Sequence, residues 1–430
     1  MTGCSYVEDR CHCGGATYTL VEVVAERIES ISGVVAYAID HRHHGEGLKI
    51  ARTPDRSFAS DNVASGAPEI IAAVAAAASG QAPPYGANSW TSSARRRFSE
   101  IFDRDVDLLP VSTGWAANAL SLAALTPPWG GVLCHRDSHI NNDECGAPEF
   151  FTGGAKLIAL AGENAKIDAD ELQAAVLRKV GFGDVHSVQP SVLSLTEATE
   201  TGAVYTPAEI GHLAGVAKHA GLHVHMNGAR LANAVAALGC KPAEITWRAG
   251  VDMLSFGATT NGAITADAVV VFDRSLTTEL RFRAKRAGQL AAKMRFAAAQ
   301  LDAYLADDLW LCNARHANAM TALLEAGLKS IPGIRVVRTP QANILFCRLP
   351  QQVIDGLLDE GYGFYHGRWK PGVVRFVTSF ATTTRDADQL VHAVRRLAAA
   401  ATEESRPKRA RTQRSASGRR SEVACMGGVP

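Results

Sequence analysis

Residues 191–226 read SVLSLTEATETGAVYTPAEIGHLAGVAKHAGLHVHM. Ser191 to Leu195 and His223 to Met226 are short apolar runs of strand length, and Pro207 to Ala220 between them carries a helical pattern. The same alternation continues on both sides. Leu108 to Val111, Gly131 to Cys134, Leu157 to Leu160, Met253 to Phe256 and Ala268 to Phe272 are further strand candidates. Ala116 to Leu125, Asp168 to Val180 and Arg230 to Leu238 are further helices. This βαβα rhythm predicts an α/β fold: a mainly parallel sheet with helices on both faces. Ligands of such sheets lie at the carboxyl ends of the strands, in the loops that follow them. After the last strand, a long helix from about Leu276 to Asp307 leads into a smaller α+β segment ending near Ala401.

Composition bounds the function. The chain has 430 residues, with 44 Lys plus Arg against 43 Asp plus Glu, a net charge of +1. Hydrophobic residues make up 47% and charged residues 20%, which excludes a disordered chain, a collagen-like repeat and a supercharged nucleic-acid binder. The length suits two or three domains of roughly 100–200 residues each. No uncharged apolar stretch reaches the roughly 18 residues a membrane span needs; Ile70 to Ala78 is the best run and reads as a buried helix. The start shows no secretory signal. Nine widely spaced cysteines point to a reducing compartment, and the expected location is the cytoplasm.

The ends differ from the middle. Residues 1–56 read as an irregular extension with one helix from Leu20 to Ser32. Cys4 with Cys11-His12-Cys13 lacks the spacing of a zinc hook, and the His41 to His44 cluster lacks a completing carboxylate or thiol, so no metal is expected. Residues 57–272 are expected to form a large domain, and residues 273–402 a connecting helix with a small C-terminal domain. Residues 403–430 form a basic tail, expected to be disordered, that includes Arg406-Pro407-Lys408-Arg409-Ala410-Arg411. That run has the look of a nuclear-import signal. The near-neutral total charge makes nucleic acid an improbable partner.

Four polar loops follow predicted strands. Thr113-Gly114-Trp115 opens a helix and offers free backbone N–H groups to an anion such as a phosphate. His135 and His139 lie near Asp137, Asp143 and Glu144; the pair suits metal ligation, or one stacking imidazole with one supporting residue. His225 to Arg230 ends in an amide and a guanidinium beside a Gly, and Ser255 to Gly262 is a Gly-bracketed polar loop. Four such loops at one edge of one sheet define a candidate site.

The phrases in these loops carry a resemblance. Ser60-Asp61-Asn62, Tyr85-Gly86, Thr113-Gly114 with Asn118, HRDSHINNDECGAPEF at 135–150, TEATETG at 196–202, HMNGAR at 225–230, SFGATTNG at 255–262 and RFVTSFAT at 375–382 occur in order. From about Phe58 to Leu397 the chain resembles the low-specificity threonine aldolases, especially their phenylserine-aldolase branch, within the beta-eliminating lyase superfamily. The resemblance implies a fold-type I, aminotransferase-like architecture: a seven-stranded, mainly parallel sheet in a large domain and a small C-terminal α+β domain. It also implies pyridoxal 5'-phosphate as cofactor, with cleavage of a β-hydroxy-α-amino acid to glycine and an aldehyde, and a dimer-of-dimers homo-oligomer. By resemblance Thr113, Gly114 and Trp115 form the phosphate loop, and His139 stacks on the pyridine ring. Arg230 and Arg375, with Ser60, hold the substrate carboxylate. Arg295 resembles an arginine that reaches a neighbouring subunit's cofactor phosphate.

The departures from the family pattern bear on activity. Members read M-D-G-A-R where this chain has Asn227, and A-T-K-N-G where it has Thr260. The first position normally sets a carboxylate against the ring nitrogen; the second holds the lysine that forms the Schiff base. Trp115 also replaces a hydroxyl residue of the phosphate loop, and Glu197 stands where close relatives have Gln. Asn227 is isosteric with Asp but neutral, so it removes the charge that keeps the ring nitrogen protonated, although it can still accept from a ring N–H. Thr260 cannot bond the aldehyde, so covalent attachment is not expected. The nearest candidate substitutes are Lys285 and Lys293 on the long helix that follows and Lys370 near the carboxylate-binding segment. The expectation is a threonine aldolase-like lyase with impaired or lost activity, His139 remaining as a base. The alternative is a non-catalytic pseudoenzyme that acts as a binding or partner subunit.

Overall fold

The computed structural model describes residues 5–7, 10–13, 16–19, 56–177 and 183–404. Three short strands, β1 (Ser5–Val7), β2 (Arg10–Cys13) and β3 (Ala16–Thr19), pair antiparallel in a sheet of their own, where the sequence reading has no regular element. The helix expected over Leu20 to Ser32, the His41 to His44 cluster and the basic tail from 405 onward lie outside the described residues. So do the side chains of Cys4, Cys11, His12 and Cys13.

The central sheet has seven strands: β5 (Asp107–Val111), β6 (Gly130–His135), β7 (Lys156–Leu160), β8 (Gln189–Thr196), β9 (His223–Gly228), β10 (Met253–Phe256) and β11 (Asp267–Val271). Their order is β5-β11-β10-β9-β8-β6-β7, and only β11 runs against the rest. All seven coincide with apolar runs of the sequence. The inner strands β6, β9, β10 and β11 are buried almost throughout, as expected of a sheet covered on both faces. The Gly114–Leu125 helix is apolar all round, and it lies across β10 and β11 with nine of its residues buried.

A second, antiparallel sheet has the order β12 (Arg335–Val336), β13 (Ile344–Arg348), β16 (Val373–Val377), β15 (Tyr365–His366). Its core joins Leu345, Leu357, Val374, Phe376 and Leu390 with Leu324 from the Leu309–Lys329 helix. Two short strands, β4 (Arg56–Ser57) and β14 (Tyr362–Gly363), pair in parallel and seat Phe58 in that same core. The chain therefore enters beside the second sheet, which places Ser60 and Asp61 near its edge.

Two expectations are corrected. The long helix from Leu276 to Asp307 is broken into Thr277–Arg286 and Arg295–Leu305. Gly288 at φ +72° takes the left-handed conformation that ends the first piece. The Ile70 to Ala78 run does form a helix (Pro68–Ala78), but it buries only Ile70 and Ala77. Alanine methyls cost little to expose, so an Ala-rich run does not imply an interior helix.

Candidate active site

The site loops gather at the carboxyl ends of β5, β6, β8, β9 and β10. Close backbone contact draws the last two together. Gly257 donates its N–H to Gly228 O at 3.1 Å, and a Cβ on Gly257 would lie 2.6 Å from Ala229 Cα. Only glycine permits that approach.

After β5, Thr113 is the N-cap of the Gly114–Leu125 helix, its hydroxyl accepting from Ala116 N at 3.2 Å. The first amides of the helix, those of Gly114 and Trp115, have no acceptor inside it. The Trp115 side chain is 46% exposed and does not fill the loop. Behind the loop, Asp267 accepts from Ala258 N (2.7 Å), Thr259 N (3.0 Å) and the Thr259 hydroxyl (3.1 Å). Burial raises the pKa of its carboxyl above the ordinary value.

After β6, His139 begins a one-turn helix, His139–Asn142. Its Nδ1 is 2.8 Å from Glu144 Oε1, which also accepts from the Asn118 amide at 2.8 Å. The Glu144 side chain is fully buried, whereas the imidazole is half exposed. The His139 backbone N–H donates to Glu200 Oε1 at 2.8 Å, fixing the ring from the β8 loop. The Glu144 hydrogen bond raises the imidazole pKa above its ordinary value. His135 is spent on the backbone: its Nε2 meets Gly162 O at 3.1 Å and its Nδ1 accepts from Asp137 N at 3.0 Å. Among the described residues no group of three His, Cys, Asp or Glu is arranged to hold a metal.

Along β9, His225 and Asn227 share a face. His225 is fully buried between the hydroxyls of Ser194 (2.9 Å) and Ser255 (3.0 Å), and burial pushes its pKa down to about 3, so it is neutral. Asn227 is 4% exposed, and its Oδ1 accepts from Ala229 N at 3.1 Å. Thr260 lies on the Thr259–Asn261 turn and donates its hydroxyl to Ala229 O at 2.8 Å. Lys285 sits over the Tyr85 ring at 4.9 Å. No contact of Lys293 or Lys370 with these loops is found among the described residues.

The three residues assigned to a carboxylate differ in what they have free. One edge of the Arg230 guanidinium, Nε and Nη2, is closed on Asp61 at 2.7 Å, and Asp61, 1% exposed, also accepts from Asn343 at 2.9 Å. The Ser60 hydroxyl is spent on its own turn, accepting from Asn62 N at 3.2 Å. Arg375 has no carboxylate partner among the described residues: Nη2 reaches Ala59 O at 3.3 Å, Nε is buried without a partner, and the cation lies 4.6 Å over Tyr365. Burial and the nearby Arg230 charge pull its pKa down to about 10, so it stays cationic at neutral pH. Arg295 is not brought to the other site residues; it donates to Gly80 O at 3.0 Å. Asp61, Asn343, Glu200 and Asp267 were not singled out from sequence. Asp61 stands inside a quoted phrase, but nothing local announces a partner 169 residues away.

A mainly parallel seven-stranded sheet, a small antiparallel sheet and polar loops at one strand edge define a fold-type I α/β scaffold. The comparisons agree. A sequence profile of the beta-eliminating lyases matches residues 57–350. A low-specificity L-threonine aldolase of Pseudomonas aeruginosa is 40% identical over 340 residues, covering 79% of this chain and 97% of that protein. One from a Pseudomonas species is 38% identical over the same shares. The structure of Leishmania major threonine aldolase superposes with a TM-score of 0.74 at 28% identity, covering 80% of this chain and 99% of that one. This chain belongs to the beta-eliminating lyase family, and within it is threonine aldolase-like. Members of the family depend on pyridoxal 5'-phosphate.

Proposed function

We propose that this chain binds pyridoxal phosphate and amino-acid ligands without a covalent link, and that its turnover as a β-hydroxy-α-amino-acid lyase is feeble or absent. One observation carries the proposal. The side chain at the Schiff-base position is the Thr260 hydroxyl, hydrogen-bonded to Ala229 O, and it has no amine to offer an aldehyde. The other residues fit the cofactor without that link. The free amides of Gly114 and Trp115 beyond the Thr113 cap suit a phosphate. His139, held in place by Glu144 and Glu200, suits a stacking ring. By resemblance Asn227 would face the ring nitrogen, and under-partnered Arg375, with Arg230 and Ser60, would hold a carboxylate.

When bound, the cofactor supplies an electron sink for charge developing at the substrate α carbon. The chain's own contribution is positioning. Arg375 orients the carboxylate, and His139 holds a proton on Nδ1 against Glu144, leaving Nε2 to face the ligand. A general base contributes about 10²–10⁴-fold, which does not offset the loss of both the covalent anchor and the ring's counter-charge. The two losses together also favour the second reading, a pseudoenzyme that binds amino-acid ligands or serves as a partner subunit. In either reading residues 57–272 serve as the cofactor unit and 273–402 as the small unit. Copies assemble as a dimer of dimers in which Arg295 reaches the neighbouring site, and the protein works in the cytoplasm.

The absorbance spectrum of purified protein tests this. We expect a pyridoxal chromophore that dialysis removes and borohydride does not fix to the chain. A chromophore that survives dialysis and is fixed by borohydride overturns the proposal. The Thr260→Lys, Asn227→Asp double variant is expected to gain threonine cleavage over the parent; no gain would mean that the site has decayed beyond these two positions.

A further inference from the structure

We propose that this site takes its pyridine-ring ligand with the ring nitrogen unprotonated, because Asn227 presents a hydrogen-bond donor where a carboxylate would present an acceptor. The inference rests on the cofactor reading above and concerns the chemical form of the ligand.

The argument starts from the Asn227 amide. Its Oδ1 accepts from Ala229 N at 3.1 Å. A backbone N–H can only donate, so the amide oxygen must be the atom on that side and the amide cannot be flipped. What remains is the NH₂ group. No hydrogen bond from it is found among the described residues. A carboxylate in the same place would have two acceptor oxygens, one for Ala229 N and one for a protonated ring. The amide has one, turned to Ala229 N, and its other arm can only donate.

The titratable groups on the surrounding elements are engaged elsewhere or held toward the protonated form. On the β8 loop, Glu197 accepts from Tyr205 N through Oε2 (3.1 Å) and Glu200 from His139 N through Oε1 (2.8 Å); Glu197 Oε1 and Glu200 Oε2 are buried without a partner, and burial raises the pKa of both carboxyls. On β9, His225 is held between two serine hydroxyls, and Arg230 at its end is closed on Asp61. On β11, Asp267 is taken by Ala258 and Thr259. A protonated ring would thus meet N–H against N–H at Asn227, which is 4% exposed, whereas an unprotonated nitrogen accepts the Asn227 donor. Binding the protonated ring therefore requires its proton to leave to solvent and buffer. A neutral ring withdraws electrons less strongly, so the same substitution also weakens the chemistry the fold otherwise supports.

Calorimetry of the full chain with pyridoxamine 5'-phosphate tests this. Titrations run in two buffers of unlike ionisation enthalpy, at one pH below the ring nitrogen's own pKa. We expect the wild type to release about one more proton per ligand than Asn227→Asp, so that below the ring nitrogen's pKa its affinity rises with pH while that of the variant stays flat. The second measurement needs no variant: the ¹⁵N shift of ring-labelled ligand on the wild-type chain should lie in the unprotonated pyridine range. Equal proton release, or a pyridinium shift, overturns the inference and leaves the cofactor reading standing. No binding by the wild-type chain overturns the cofactor reading, and the inference with it.

Discussion

Two arginines that look alike in the sequence have different partners in the structure. Arg230 spends its fork on the buried Asp61, and Arg375 meets no carboxylate among the described residues. Arg375→Ala should weaken binding of phosphopyridoxyl-glycine by about tenfold to a hundredfold, the worth of a charged hydrogen bond; equilibrium dialysis measures it, and the fold should survive. Arg230→Ala should instead cost about 3–5 kcal/mol of stability, because it strands a buried carboxylate; denaturant unfolding reads that loss. Sequence reading found both guanidiniums but could not tell them apart, since the pairing of Arg230 depends on a turn 169 residues earlier. His139 was likewise legible, but its dependence on Glu144 was not. The Glu144 contact raises the imidazole pKa above 6.5 in the folded chain. The stability this adds is complete below pH 6.5 and is lost as pH rises through the folded pKa. Glu144→Gln should bring the imidazole back toward 6.5, an outcome that NMR titration of the ring protons checks directly.

Strands and helices differed in how readily they could be read. Strand cores were plain because a sheet covered on both faces demands unbroken apolar runs, and 253–256 matches the observed strand residue for residue. The long-helix expectation failed because residues 287–292, AGQLAA, contain good helix formers around a single glycine. One left-handed residue outweighed the pattern. The Ser194–His225–Ser255 bridge ties β8, β9 and β10 together by a route no periodicity reveals, and it fixes a pH response. His225 stays neutral in the fold, with its pKa at about 3, but protonates near 6.5 once unfolded. Unfolding therefore takes up a proton between those values, and stability falls as pH drops from 6.5 toward 3. His225→Gln should flatten that part of the stability–pH curve, whatever its effect at neutral pH; urea unfolding across the window measures both.

At the scale of the molecule, several aromatic side chains lie bare on helices that pack together. Phe150 is 78% exposed and Phe282 69% exposed. Their helices, Ala147–Thr152 and Thr277–Arg286, flank the helix that begins at Gly114, and Arg283 donates to Phe151 O at 3.3 Å between them. Bare aromatics on helices that pack against one common helix suit a surface that another chain covers. A second copy fits the proposed dimer of dimers, and so does Arg295, whose Nε is buried without a partner while Nη1 is left to Gly80 O. Light scattering on the purified chain should give a mass above 45.6 kDa, and Phe150→Asp with Phe282→Asp should lower it without unfolding the protomer. The same double variant should weaken pyridoxamine phosphate binding if the neighbouring Arg295 completes the phosphate site, and Arg295→Ala should weaken it to the same extent without changing the mass. A monomeric wild type would refute the assembly, and an Arg295→Ala protein that binds normally would refute the shared site.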